Sequence, residues 1–411
     1  MIGYLPNYEL RLYSCFYVVL LVVVLYNVQS ITNLPDYNFM GKGWSFLNRK
    51  IDDYDVEWQT WKNFVSNFWF CFVVHTVSAE VFRFLRLKNI SVLFFVVGSL
   101  SCFIMYNVQF LLMMYLQTLI SYLGARRKSF IWALAAAWLV VLNYLKMESN
   151  YRIIAEVLNI NESKVHDFLI IFAWNLLKNI SFNLERLDSP DRDDLKFTFF
   201  NCLGYVFYFP TFMCGPHYIV HYGVPITFGQ LDGISMPKTP ICICRVHKYS
   251  DMWKWFDHGL YEFLFKYIYI NLCHRRSSSL RKIFAGFATF LFIYVWHGFF
   301  DYILYWSLLN CACIVLEKLV YYVIDSEKFH HKALSIVKTE NHVHRLRAFI
   351  GTHILIPAVL SNFFFFGGVE VGSEFMRRTY LDGFVNYLKI STCIYLLYPV
   401  AEALKRSDKL K

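Results

Sequence analysis

Runs of about 20 apolar residues return along the whole chain, the signature of a protein that crosses a bilayer many times. The composition agrees. Of 411 residues, 57% are hydrophobic and 17% charged, where a soluble domain carries about 25% charged residues. The expected fold class is all-α, a polytopic integral membrane protein with residues 1–411 as a single multi-span domain. No long basic tail accompanies the net charge of +10. The excess therefore reads as membrane topology and anionic headgroups, and argues against nucleic-acid binding. The 11 cysteines are scattered, mostly within apolar runs, where they act as small hydrophobes and imply no disulfide framework.

The N-terminal spans are expected within 11–146, beginning with 12–28 and 61–82. No small-residue cleavage site follows the first, so it reads as a retained span and not a signal peptide. The run 90–123 would overshoot a hydrocarbon core of about 30 Å as one helix. Basic clusters flank it at Arg83, Arg86 and Lys88 and at Arg126, Arg127 and Lys128. Two clusters on the cytoplasmic side require an even number of crossings between them, so the run splits near Tyr106 and Asn107. A further span over 130–145 then places 146–167, with the glycosylation pattern Asn161-Glu162-Ser163, in the lumen. Residues 168–180 are short for a span and read as a tilted, re-entrant or partly buried helix, followed by a solvated charged loop over 185–196.

The core is expected over 197–404. The glycines and prolines between 217 and 249 argue against a long helix, and 251–272 is amphipathic, hence interfacial or re-entrant. Residues 283–319 hold two spans or one broken one, 325–347 form a polar loop, and 349–366 and 387–404 supply the last spans. No repeat, P-loop, dinucleotide fingerprint or zinc spacing is present.

His297 lies inside the apolar run 283–316. A polar side chain in hydrocarbon costs a few kcal/mol unless it has a partner or a water-filled cavity, which makes it a functional candidate. Asp257 sits upstream in a segment that is also mostly apolar and aromatic. A histidine base and a carboxylate that orients an amine or shares its proton suit acyl transfer from a thioester. The plainer alternatives are a helix-packing role for His297 and an ion pair of Asp257 with Lys254 or Lys266. His258 adjoins Asp257 in the amphipathic segment. His217, His221, His330, His331, His342 and His344 read as loop or interfacial residues.

The block from Met252 through Trp253, Phe256, Asp257, Gly259 and Leu260, followed by Trp296-His297-Gly298 in an apolar run, resembles the membrane-bound O-acyltransferase superfamily. The similarity is to its Hedgehog acyltransferase branch, the protein-cysteine N-palmitoyltransferases. Cys242 to Asp251, Leu272 to Ser278, Ser361-Asn362 and Gly367 to Gly372 extend the resemblance over most of the chain. It implies re-entrant segments around a central tunnel that joins cytosol to lumen. It also implies palmitoyl-CoA as donor and the N-terminal cysteine amine of a secreted Hedgehog-type protein as acceptor. His297 becomes the catalytic histidine and Asp257 its partner across the tunnel. Trp253 and Trp296 belong to the acyl tunnel, and Asn362 is placed for the donor carbonyl or for helix packing. A haem b held by Cys242 is implied, with Cys244 two residues on. The location implied is the membrane of the endoplasmic reticulum or Golgi.

One departure stands out. In the family, Tyr-Phe-Pro-x-x-x-x-Gly-Pro is followed by a long insert before a segment like Tyr222 to Gly233. Here Gly215-Pro216 runs almost directly into Tyr222-Gly223, so a family segment is lacking near 216–222. The alternative functions are therefore an inactive or truncated relative acting as a membrane binding or regulatory protein, and an acyltransferase for another lipid or protein.

Overall fold

The run 90–123 breaks at Tyr106 and Asn107 in the computed structural model, which describes residues 5–31, 41–43, 50–51, 56–189, 195–212, 218–236, 241, 245–274 and 276–408. Helix α1 (Asn7–Ile31) is followed by a small antiparallel pair, β1 (Gly41–Lys42) and β2 (Lys50–Ile51). Then come α2 (Val56–Phe84), α3 (Ile90–Met105), α4 (Val108–Gly124), α5 (Lys128–Leu145), α6 (Tyr151–Leu158), α7 (Val165–Asp188), α8 (Phe199–Val206), α9 (Phe209–Phe212) and α10 (Tyr218–Leu231). The rest are α11 (Tyr249–Phe256), α12 (His258–Phe263), α13 (Ile270–Leu272), α14 (Ser279–His297), α15 (Asp301–Ile324), α16 (Glu327–Val337), α17 (Glu340–Tyr380) and α18 (Phe384–Asp408). A π-helical stretch, Leu264–Tyr269, joins α12 to α13. Six helices among the described residues are long and apolar enough to cross a membrane: α1, α2, α5, α14, α15 and α17.

The helices fall into two units, Asp55–Thr239 and a second made of Met1–Tyr54 with Pro240–Lys411. These boundaries do not coincide with the division into 11–146 and 197–404. The physical reason is that α1 packs on the C-terminal helices. Glu9, 6% exposed, accepts a two-pronged bond from Arg345 of α17 at 2.8 and 2.6 Å.

In the unit 55–239, α7 is a single helix through to Asp188, longer than the 168–180 expected. Its polar residues lie inward. Asn175, Asn179 and Asn183 are each about 1% exposed; the Asn179 and Asn183 amides donate back along the helix, to Asn175 O at 2.9 Å and to Asn179 O at 2.8 Å, and Asn175 donates to Met114 Sδ at 3.2 Å. Arg186 donates to the carbonyls of Tyr122 and Ala125 at 3.0 Å each, capping α4, so the charged end stays helical and is not wholly a solvated loop. The crossing of α3 and α8 is close: a Cβ on Gly98 would fall 1.8 Å from the Phe207 carbonyl oxygen, and one on Gly204 would fall 2.4 Å from that of Ser91. Small residues of this kind let helix backbones approach in membranes.

The segment after residue 217 is more helical than its glycines and prolines suggest, since α10 runs through Pro225. Beyond its end, Asp232 accepts from His75 Nε2 at 2.8 Å, from the Tyr208 hydroxyl and from Arg83. The His75 and Asp232 side chains are 1% and 3% exposed. Burial alone would raise the Asp232 pKa, but the bonds from His75 and Tyr208 and the charge of Arg83 hold it below the ordinary carboxylate value. Its folded pKa being depressed, Asp232 stabilises the fold above 3.8, its unfolded value, and that stability is lost as pH falls through the folded value. Asp232→Ala is expected to cost about 1–3 kcal/mol, as leaving buried donors such as His75 and Tyr208 without their acceptor does. Thermal unfolding of detergent-solubilised protein checks this, and an unchanged midpoint would refute it.

Two more expectations change in the second unit. Residues 325–347 are not a loop: Ser326 caps α16 through Phe329 N at 3.2 Å, and Thr339 caps α17 through His342 N at 3.3 Å. Helix α17 continues past the expected end of its span and turns sharply at Gly368 (φ 78°, ψ −176°), a backbone state that favours glycine. The turn stacks Phe363 on Phe375 with ring centroids 3.8 Å apart.

Candidate active site

Trp296, His297 and Gly298 end α14. Gly298 has φ 124° and ψ 154°, and its N–H still bonds to Tyr294 O at 3.0 Å. A side chain there would be strained, so the glycine lets the helix stop immediately after His297. Trp296 is 6% exposed and lies 4.8 Å from the His297 ring, centroid to centroid. His297 is half-buried and meets Trp306 at 5.6 Å and Phe365 at 5.3 Å, both edge to face. Trp306 and Phe365 are themselves 4.7 Å apart. The imidazole therefore stands in an aromatic corner built by α14, α15 and α17.

Asp257 falls at the break between α11 and α12. Its carboxylate caps α12, accepting from Leu260 N at 2.8 Å. It makes no hydrogen bond with His297 and no ion pair with Lys254 or Lys266. Its neighbour His258 is 7% exposed and stays within its own segment, with Nδ1 3.1 Å from Lys254 O and Nε2 3.1 Å from Glu262. Among the other histidines, His344 is 8% exposed, a buried residue and not an interfacial one, while His330 pairs with Glu340 at 3.2 Å. The side chains of His217 and His221 lie outside the described residues, as do Cys242 and Cys244.

Trp253 packs at 5.1 Å on Phe290 and at 5.4 Å on Trp306, so it joins the wall that reaches His297. Its Nε1 donates to Asn310 Oδ1 at 2.9 Å. Asn362 accepts from Trp306 Nε1 at 3.3 Å and donates to Ala358 O at 3.2 Å, so it anchors the same wall. Tyr249, 1% exposed, donates to Asn310 and lies 3.4 Å from Ser361 Oγ and from Asn362 Oδ1. Burial pushes the Tyr249 hydroxyl up to about 12 against the opposing bonds from Ser361 and Asn362, so it remains a protonated donor. Sequence reasoning assigned no role to Trp306, Phe365, Asn310 or Tyr249. For Asn310 the signal was present, since it is a polar group in an apolar run, as His297 is.

Membrane-length helices, one of them ending in a histidine set in an aromatic corner, define a polytopic helical membrane protein. Residues 217–361 match the model of the membrane-bound O-acyltransferase family. The Drosophila melanogaster protein named protein-cysteine N-palmitoyltransferase Rasp is 28% identical over 97% of this chain and 96% of its own length. The Mus musculus protein-cysteine N-palmitoyltransferase HHAT is 30% identical over 40% of this chain and 33% of its own, and the mouse HHAT-like protein is 27% identical over 40% and 32%. The aligned length with the Drosophila protein, 489 residues, exceeds the 411 residues of this chain by 78.

Proposed function

We propose that this protein is a protein-cysteine N-palmitoyltransferase, which moves palmitate from palmitoyl-CoA to the N-terminal cysteine amine of a secreted Hedgehog-type protein. The observation that carries this reading is the similarity to the Drosophila enzyme over 97% of the chain. The new C–N bond forms as the thioester C–S bond breaks. The amine proton passes to His297 and then to the departing CoA thiolate. Asp257 holds the amine from the other side of the tunnel, and Trp253, Trp296 and Asn362 shape the acyl passage. The setting is the endoplasmic reticulum or Golgi membrane.

The test is transfer of labelled palmitate from palmitoyl-CoA by purified protein to a peptide with a free N-terminal cysteine, beside the same peptide N-acetylated. Amide-linked label, resistant to hydroxylamine and absent from the acetylated peptide, supports the reading. Label that hydroxylamine removes, or equal labelling of both peptides, overturns it. A second reading, an inactive or regulatory relative whose core lacks a family segment near 216–222, is favoured by the excess aligned length. No transfer by a folded sample would favour it.

A haem on Cys242 rests on the resemblance alone, and no step is routed through it. With a haem bound there, the purified protein shows Soret absorbance and Cys242→Ala removes it. Unchanged absorbance in the variant would exclude Cys242 as the ligand.

A further inference from the structure

Helix α11 carries Trp253 and ends at Asp257, yet it spans only Tyr249–Phe256. Isolated helices shorter than about 12–15 residues are marginal in water, so its place is set by its neighbours. One face of α15 supplies three contacts. Trp306, Asn310 and Glu317 lie within about 40° of one another on a helix of about 3.6 residues per turn. Glu317, 3% exposed, accepts the N–H groups of Tyr249 and Ser250 and so caps α11 with a buried carboxylate. Trp306 packs on Trp253 and continues to His297.

Asn310 stands between them at 0% exposure. Its Oδ1 accepts from Trp253 Nε1 and from the Tyr249 hydroxyl. Its Nδ2 donates to Trp306 O at 2.6 Å and to Ser361 Oγ at 3.1 Å. The amide has two donors and one two-lone-pair acceptor, and all are taken. Asn310 thereby joins α11, α15 and α17, and the Tyr249 hydroxyl meets the same three helices from the α11 side.

We propose that Asn310 is a positioning residue for acyl transfer: it fixes the Trp253 indole and the α11 segment that ends at Asp257 relative to the Trp306–His297 wall. The proposal rests on the acyltransferase reading above for its kinetic part only. Asn310→Leu keeps the approximate volume and removes every bond. Asn310→Asp keeps the acceptor oxygen for Trp253.

A displacement of about 1 Å near reacting groups costs on the order of 100-fold, and that is the expected fall in kcat for Asn310→Leu, with KM for the acceptor peptide little changed. Asn310→Asp restores part of the loss. In substrate-free protein, hydroxyl-radical footprinting read at Trp253 rises in Asn310→Leu and stays near the parent value in Asn310→Asp. Parent-like kcat, or unchanged Trp253 protection in Asn310→Leu, overturns the proposal. Should Asn310→Leu not be recovered folded, Asn310→Ser is read in the same two ways, and parent-like values there overturn it equally. A parent that transfers no palmitate removes the function reading, and the Trp253 footprint then decides alone whether Asn310 holds α11.

Discussion

Replacing His297 with alanine is expected to lower palmitoyl transfer by about 100- to 10,000-fold, the range over which a positioned general base acts. The fold should tolerate the change. The imidazole is half-buried at the last position of α14, and Trp306 and Phe365 keep their own contact at 4.7 Å without it. The helix stop belongs to Gly298, which the substitution leaves in place. Loss of rate should therefore come with normal detergent extraction and normal thermal stability. Initial rates of labelled palmitate transfer, measured at matched amounts of folded protein, check this. Full activity would leave His297 as a packing residue in an aromatic corner.

Asp257→Asn is expected to lower the rate by more than about tenfold, again without loss of fold. The substitution is informative because Asn caps helices about as well as Asp does. The bond from Leu260 N can persist while the charge is removed. Asp257→Ala removes both, and adds a cap loss of about 0.5–2 kcal/mol. A carboxylate that handles the amine predicts low activity in both variants, with a stability loss in the alanine variant only. If Asp257→Asn kept full activity while Asp257→Ala lost it, Asp257 would be a helix cap and nothing more. The result carries extra weight because no hydrogen bond joins Asp257 to His297 in the substrate-free protein.

Much of the helical plan was legible in the chain because apolar periodicity and length are local properties. The break at Tyr106–Asn107 followed from bilayer thickness. Asn107 also proves to be the cap of α4, accepting from Phe110 N at 2.9 Å. Over 283–319 the chain left two spans or one broken one open, and the structure sets the break directly after His297. After 217 the glycines and prolines misled, but two other misread stretches share one cause: polar residues were taken to mark solvent. In α7 they face inward, where the Asn179 and Asn183 amides bond backbone carbonyls one turn back, and Arg186 finds the carbonyls at the end of α4. In 325–347 they cap and cover two helices. Whether a polar side chain meets water or a buried partner depends on neighbours far away in the chain, which no local pattern encodes.

The same division applies to the site. The chain alone determined that this is a helical membrane protein, and it singled out His297, since an imidazole in hydrocarbon is costly wherever the helix packs. Its motifs also carried the resemblance to an acyltransferase. Only the tertiary structure decided what surrounds that imidazole: Trp306 from α15, Phe365 from α17, and Trp253 held by Asn310. It also decided that Asp257 serves a helix cap and does not pair with His297 in the resting protein. These are facts of long-range packing, in which α11, α15 and α17 share one hydrogen-bonded core and α14 brings His297 to it by ring contact. Such contacts exist only once the helices have met.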